Sequence, residues 1–242
     1  MKQLLYIFIS TVLALGAACL VSCQSDDDLA TVPTGSVVLK LSCGQVPIVA
    51  SRAGVDADLS LVITRTDGKP IVDGRTALEY AAGSVPAKID LPIGSYVLHA
   101  YTNNQTTWAT AQNGLGEACH DGRTEFTVHE DEIVYCTYRV PMTNYAVALS
   151  LPEAFETLFP TYTLTLSSGS RRVMLKAGQM AYFAPNAGFN YALSATNSDG
   201  KTSSHSPQSC NDVEAGKCYT LNYTYGLDAS GSNVRIDVAD AE

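Results

Sequence analysis

The stretch Lys88-Ile89-Asp90-Leu91-Pro92-Ile93-Gly94-Ser95-Tyr96-Val97-Leu98-His99-Ala100-Tyr101 decides the fold class. Ile89 and Leu91 alternate with polar residues, Pro92-Ile93-Gly94 makes a turn, and Tyr96, Leu98 and Ala100 then face one way. A period of two with a proline–glycine break reads as strand, turn, strand. The same grammar extends outward. Val37, Leu39 and Leu41 alternate within 35–43, and 59–63 is apolar ahead of Thr66-Asp67-Gly68-Lys69, a hairpin signal. Glu125–Val128 and Ile133–Val140 flank an acidic turn at Glu130-Asp131.

The rhythm then repeats. Tyr162–Leu166, Arg172–Leu175, Gln179–Phe183, Tyr191–Ala195, Cys218–Tyr225 and Val234–Val238 read as strands. The stretch 94–103 is loosely similar to 189–197. Pro152–Phe159 is the one helical candidate, a turn or two between prolines. Without helices between strands there is no βαβ pattern. The expected fold is all-β: two tandem Ig-like β-sandwiches, 35–142 and 143–242, after a signal peptide (1–22) and an acidic tether (23–34). Thr143–Leu151 can close the first sandwich or open the second. Tyr219, Leu221, Tyr223 and Tyr225 form either an aromatic core stripe or an aromatic ligand platform.

The N-terminus gives an address. Lys2 precedes an apolar run, Leu4 to Ala18, too short to span a bilayer as a helix. Leu20-Val21-Ser22-Cys23 follows and resembles the lipobox of bacterial lipoproteins, which implies lipidation at Cys23. Cys19 is a poorer site because Gly16 stands where a branched aliphatic residue is wanted. Ser25-Asp26-Asp27-Asp28 resembles the export signal of surface lipoproteins in Bacteroidetes, and also reads as a solvated spacer. The expected location is the outer membrane, lipid-anchored, at the cell surface.

Of 242 residues, 15 are Lys or Arg and 24 Asp or Glu, a net charge of −9. That balance excludes a phosphate-backbone binder, so no nucleic acid is expected. Hydrophobic residues make up 46 % and charged ones 16 %, which excludes a disordered chain. Five cysteines remain beyond Cys23, in a compartment that permits disulfides. Cys43 with Cys136, and Cys210 with Cys218, are the candidate pairs, leaving Cys119 as the odd thiol.

Gly35–Cys43, Leu91-Pro92-Ile93-Gly94-Ser95-Tyr96, Gly122–Val128, Cys136 and Asn144 follow one another in an order that resembles the Bacteroidetes lipoproteins grouped as domain of unknown function 4493. The resemblance implies surface or outer-membrane lipoproteins with β-sandwich domains, and brings no catalytic residues. Where members of that family often carry an aromatic-rich segment before Gly122, this chain has Ala118-Cys119-His120-Asp121.

Neither a Gly-x-Ser-x-Gly elbow nor a His-Glu-x-x-His motif is present. Cys119-His120-Asp121 is the most reactive-looking cluster, but neighbours on an extended chain point to opposite faces, so a surface loop is the better reading. Asp56-Ala57-Asp58 reads as a solvated turn, since further calcium ligands are missing. No metal, cofactor or enzymatic activity is expected. Trp108 follows Asn103 and Asn104; the group can stack a sugar and bind its hydroxyls, or Trp108 can end a strand and pack in the core. The leading expectation is a surface binding or adhesion module for an unknown glycan or protein. The alternative is an anchor or minor subunit of a fimbria-like assembly that donates a strand, with Val234–Val238 as the strand to inspect.

Overall fold

The computed structural model describes residues 32–44, 56, 58–204, 206–227 and 234–241, and side chains only as far as residue 224 in the last part. The signal, lipobox and most of the tether, including Cys23 and Ser25 to Asp28, lie outside the described residues.

Sixteen strands and one short helix are described. The first seven strands are β1 (Thr34–Cys43), β2 (Leu59–Arg65), β3 (Ala77–Tyr80), β4 (Ile89–Pro92), β5 (Gly94–Thr102), β6 (Asp121–Val128) and β7 (Ile133–Val140). Then come β8 (Tyr145–Ser150), α1 (Phe155–Leu158), β9 (Thr161–Ser168), β10 (Arg171–Leu175), β11 (Met180–Phe183), β12 (Phe189–Thr196), β13 (Thr202–Ser204), β14 (Gln208–Cys210), β15 (Cys218–Leu227) and β16 (Val234–Ala241). The fold is all-β and sandwich-like.

One strand order occurs twice. The first half has the sheets β4-β1-β7 and β3-β2-β5-β6. The second has β11-β8-β15-β16 and β10-β9-β12-β13, with β14 also on β12. Moving seven strands along the chain maps β1–β6 onto β8–β13; β7 then corresponds to β15, and β14 and β16 are additions of the second half. Even the parallel partner of the opening strand recurs, β1 with β7 and β8 with β15. The stretches 94–103 and 189–197, similar in sequence, carry the equivalent strands β5 and β12. Tyr96, Leu98 and Ala100 enter one core, and Tyr191, Leu193 and Ala195 the other. The two cores share no residue: one is built from Val37 to Val140, the other from Tyr145 to Tyr223.

Several expectations change. Immunoglobulin constant domains keep their first two strands in one sheet; here β1 and β2, and again β8 and β9, lie in different sheets. Alternation reveals a strand but not its neighbours, which is why the sequence did not distinguish these orders. Residues 145–150 open the second half, since β8 pairs with β11 and β15. The turn at Asp67-Gly68 does not close a tight hairpin: β2 pairs with β3 across residues 65–76. The tight turn in that connection is Asp73-Gly74, both at positive φ (48° and 76°), bridged by Val72 and Arg75.

The five described cysteines are free, which corrects both expected disulfides. Cys136 faces Leu39 on β1, whereas Cys43 faces Val140. Four residues of strand, roughly 13 Å, separate the two positions, beyond the ~7 Å limit for a bridge. Cys210 pairs with Phe189 in one sheet, and Cys218 with Ala146 in the other.

Pro92-Ile93-Gly94 is a corner where the chain changes sheets from β4 to β5. Tyr96 fixes it: its ring is buried and its hydroxyl donates to the Pro92 carbonyl at 2.6 Å. Burial pushes the phenol pKa up. Tyr96→Phe leaves the ring but orphans that carbonyl, so a loss of about 1 kcal/mol is expected from the urea unfolding midpoint.

Candidate functional site

The segment that suggested a sugar platform is a brace between the halves. Asn103 Nδ2 donates to Ser60 Oγ at 2.8 Å. Asn104 Nδ2 donates to Glu117 Oε1 and to the Ala118 carbonyl, both at 2.9 Å, and its Oδ1 accepts from Thr102 Oγ1. Asn104 is thus tied within the loop, and Asn103 to β2. Trp108 sits in a short 3-10 turn, half-buried, with the Arg171 guanidinium 5.3 Å from its ring centroid. Trp108 therefore neither ends a strand nor belongs to either core.

Arg171 is held from several sides. It lies 5.3 Å from the Phe183 ring as well, and one guanidinium nitrogen donates to the Gly114 carbonyl at 2.5 Å. Burial lowers its pKa. Leu115 packs against the second core and its carbonyl accepts from Tyr182 N–H at 2.9 Å. Asn144, buried, completes the brace: Nδ2 donates to the Glu117 carbonyl at 2.9 Å and Oδ1 accepts from Cys119 N–H at 3.1 Å.

The Cys119-His120-Asp121 cluster is divided by the fold. His120 is buried, with Nε2 3.3 Å from the Gly44 carbonyl, and burial lowers its pKa. Asp121 instead meets His99 Nε2 at 3.2 Å. Cys43 is pushed up to about 12 by burial and by Asp56 and Asp58, so at neutral pH it is a thiol. Asp56 accepts from Asp58 N–H, as in a turn. No group of three His, Cys, Asp or Glu among the described residues is arranged to hold a metal ion. Tyr219, Leu221 and Tyr223 are buried in the second core, which makes them a core stripe; the Tyr225 side chain lies outside the described residues.

The site that the fold does assemble is elsewhere. A groove of about 440 Å³ lies on the outer face of the β10-β9-β12-β14 sheet, within the usual range of small-molecule sites, roughly 300–1,000 Å³. On β9 and β12, Leu164, Leu166, Tyr191 and Leu193 enter the core, so Thr165, Ser167, Asn190 and Ala192 face outward. Register lines up Arg172, Ser167, Asn190 and Ser209 as one row across four strands. Ser209 Oγ donates to Asn190 Oδ1 at 2.6 Å, which orients the amide and leaves its N–H₂ to donate outward. Arg172 is exposed and takes part in none of the ion pairs among the described residues. The lining includes Arg171 and Arg172 but no Asp or Glu. The outward Thr161, Thr163, Thr165 and Ser167 were the sequence signal for this face. The row itself joins four separated strands and was not legible.

A family model for the domain of unknown function DUF4493 matches residues 34–242, across both halves. The chain belongs to the DUF4493 family. The glycines of the family-like motifs have a physical reason here. A Cβ on Gly122 would stand 2.3 Å from the Tyr138 hydroxyl and 2.6 Å from Pro141 Cδ. No functionally curated protein matches this DUF4493 chain. Solved structures that resemble it include a candidate cell adhesion protein from Bacteroides uniformis (13 % identity, 86 % of this chain and 98 % of that one, TM-score 0.46). Another is a candidate cell adhesion protein from Bacteroides fragilis (11 % identity, 84 % and 97 %, TM-score 0.43).

Proposed function

We propose that this DUF4493 protein is a non-enzymatic, lipid-anchored lipoprotein of the outer membrane. It presents two sandwich modules, 35–142 and 143–242, at the cell surface for binding. The observation that carries the binding role is the groove on the second module. It is an open polar face of hydroxyls, an amide oriented by Ser209, and the exposed Arg172 guanidinium. The anchor rests on Leu20-Val21-Ser22-Cys23, and the surface placement on the Ser25-Asp26-Asp27-Asp28 run. Acyl chains contribute roughly 0.8 kcal/mol per buried methylene, so several chains at Cys23 hold the protein durably. The repeated strand order and the two separate cores support the division into modules. Strand donation through the C-terminus has less to support it, because β16 is already paired with β15 in its own sheet.

Cys23→Ala is expected to yield a soluble product with no incorporated fatty acid, read by metabolic labelling and membrane fractionation. Full membrane retention of that variant overturns the anchor. Protease shaving of intact cells is expected to remove the wild-type protein. Digestion only after the outer membrane is permeabilised overturns the surface placement.

A further inference from the structure

The groove is chemically selective in a way that names a ligand class. The whole chain carries a net charge of −9, yet this lining holds two arginines and no carboxylate. Arg171 is committed to Trp108, Phe183 and the Gly114 carbonyl, so it supplies field more than contact. Arg172 is the uncommitted cation. Its planar fork suits a carboxylate or sulfate better than a neutral hydroxyl. Beside it, Ser167 and Asn190 offer a hydroxyl and an amide, groups that donate to and accept from sugar hydroxyls. Neighbouring positions in this row stand roughly 4.8 Å apart, so one extended ligand can engage several of them at once. The next row sets exposed Met174 beside Thr165 and Ala192, an apolar strip for the carbon face of a ring.

We propose that the groove binds an anionic saccharide, with Arg172 holding the carboxylate or sulfate and Ser167 and Asn190 taking adjacent hydroxyls. This rests on the reading of the groove as the binding site of the protein. The site is polar and open, so affinity is modest and rises with the number of repeats engaged.

The test is calorimetric titration of the full chain in detergent with polygalacturonate, chondroitin sulfate and neutral dextran. Binding of one or both polyanions, with dextran inert, is expected; which polyanion binds distinguishes carboxylate from sulfate recognition. Arg172→Gln is expected to weaken binding at least tenfold and Asn190→Ala several-fold. Arg75→Gln, at an exposed arginine of the first half, is expected to change nothing. Arg172→Lys is expected to recover only part of the loss, because a point charge lacks the fork. Equal weakening by Arg75→Gln, or full affinity in Arg172→Gln, overturns the proposal. Binding of dextran alone, reduced by Asn190→Ala, overturns the anionic ligand but leaves the groove as a binding site. No binding of any of the three saccharides overturns the proposal. Far-ultraviolet dichroism and melting of each variant keep a folding defect separate from a lost contact.

Discussion

Asn144→Ala is expected to cost about 3 kcal/mol, a fall in melting temperature of roughly 6–12 °C for a chain of this size. Asn144 is buried at the point where the first half hands over to the second. Its amide satisfies two backbone groups, the Glu117 carbonyl and the Cys119 N–H. Removing the side chain leaves both without that partner in a closed site, which costs more than the bonds contribute when formed. The damage should spread along the brace. Residues 117–119 also receive Asn104 Nδ2, and the Cys119 carbonyl accepts from Thr143 N–H at 2.7 Å. Asn144→Asp makes a sharper comparison. It keeps the acceptor for Cys119 N–H but sets a carboxylate oxygen against the Glu117 carbonyl, so it should also destabilise. Differential scanning calorimetry of both variants checks this, and a loss below 0.5 kcal/mol in Asn144→Ala would show that the clamp holds nothing.

Trp108, Asn103 and Asn104 read as a ligand site in sequence, and the structure adds the contacts that hold them in the brace. Aromatic and amide residues close in sequence look alike whether their polar groups face solvent or the backbone of a loop. The acceptors that engage the amides, Ser60, Glu117 and Ala118, are distant along the chain or past a turn, so local pattern does not reveal them. Strands were legible wherever burial had a period of two, as in Tyr96-Val97-Leu98-His99-Ala100. The short strands Thr202–Ser204 and Gln208–Cys210 were not, because neither sets an alternating apolar row into a core. The disulfide expectations failed for a related reason. Cys43 and Cys136 do lie on paired strands, but a parallel register, which is non-local, sets them four positions apart. Arg172, Ser167, Asn190 and Ser209 share this character: each is an unremarked polar residue on its own strand, and only pairing makes them a row.

Gly35→Val, in the first half, is expected to be as damaging, at about 3 kcal/mol. Gly35 is the second residue of β1, where the strand is pressed between two partners. It faces Leu91 on β4, and the next residue, Ser36, donates its N–H to the Glu132 carbonyl and begins the parallel ladder with β7. A Cβ at this position would lie 2.0 Å from the His129 carbonyl oxygen, 2.8 Å from Val128 Cγ1 and 3.2 Å from the Glu132 carbonyl oxygen. The first and last of these are backbone atoms of the β6–β7 connection and cannot swing away as a side-chain tip can. Either that turn moves, releasing the Asp131 N–H bond to the Thr34 carbonyl, or β1 lifts from both neighbours. The clash lies in the Cβ itself, so Gly35→Ala should lose nearly as much as Gly35→Val. If crowding by the larger side chain were the cause, alanine would be mild. Urea unfolding of the pair separates the two cases, and a Gly35→Ala midpoint equal to wild type would mean that β1 does not enter the sandwich against the β6–β7 turn.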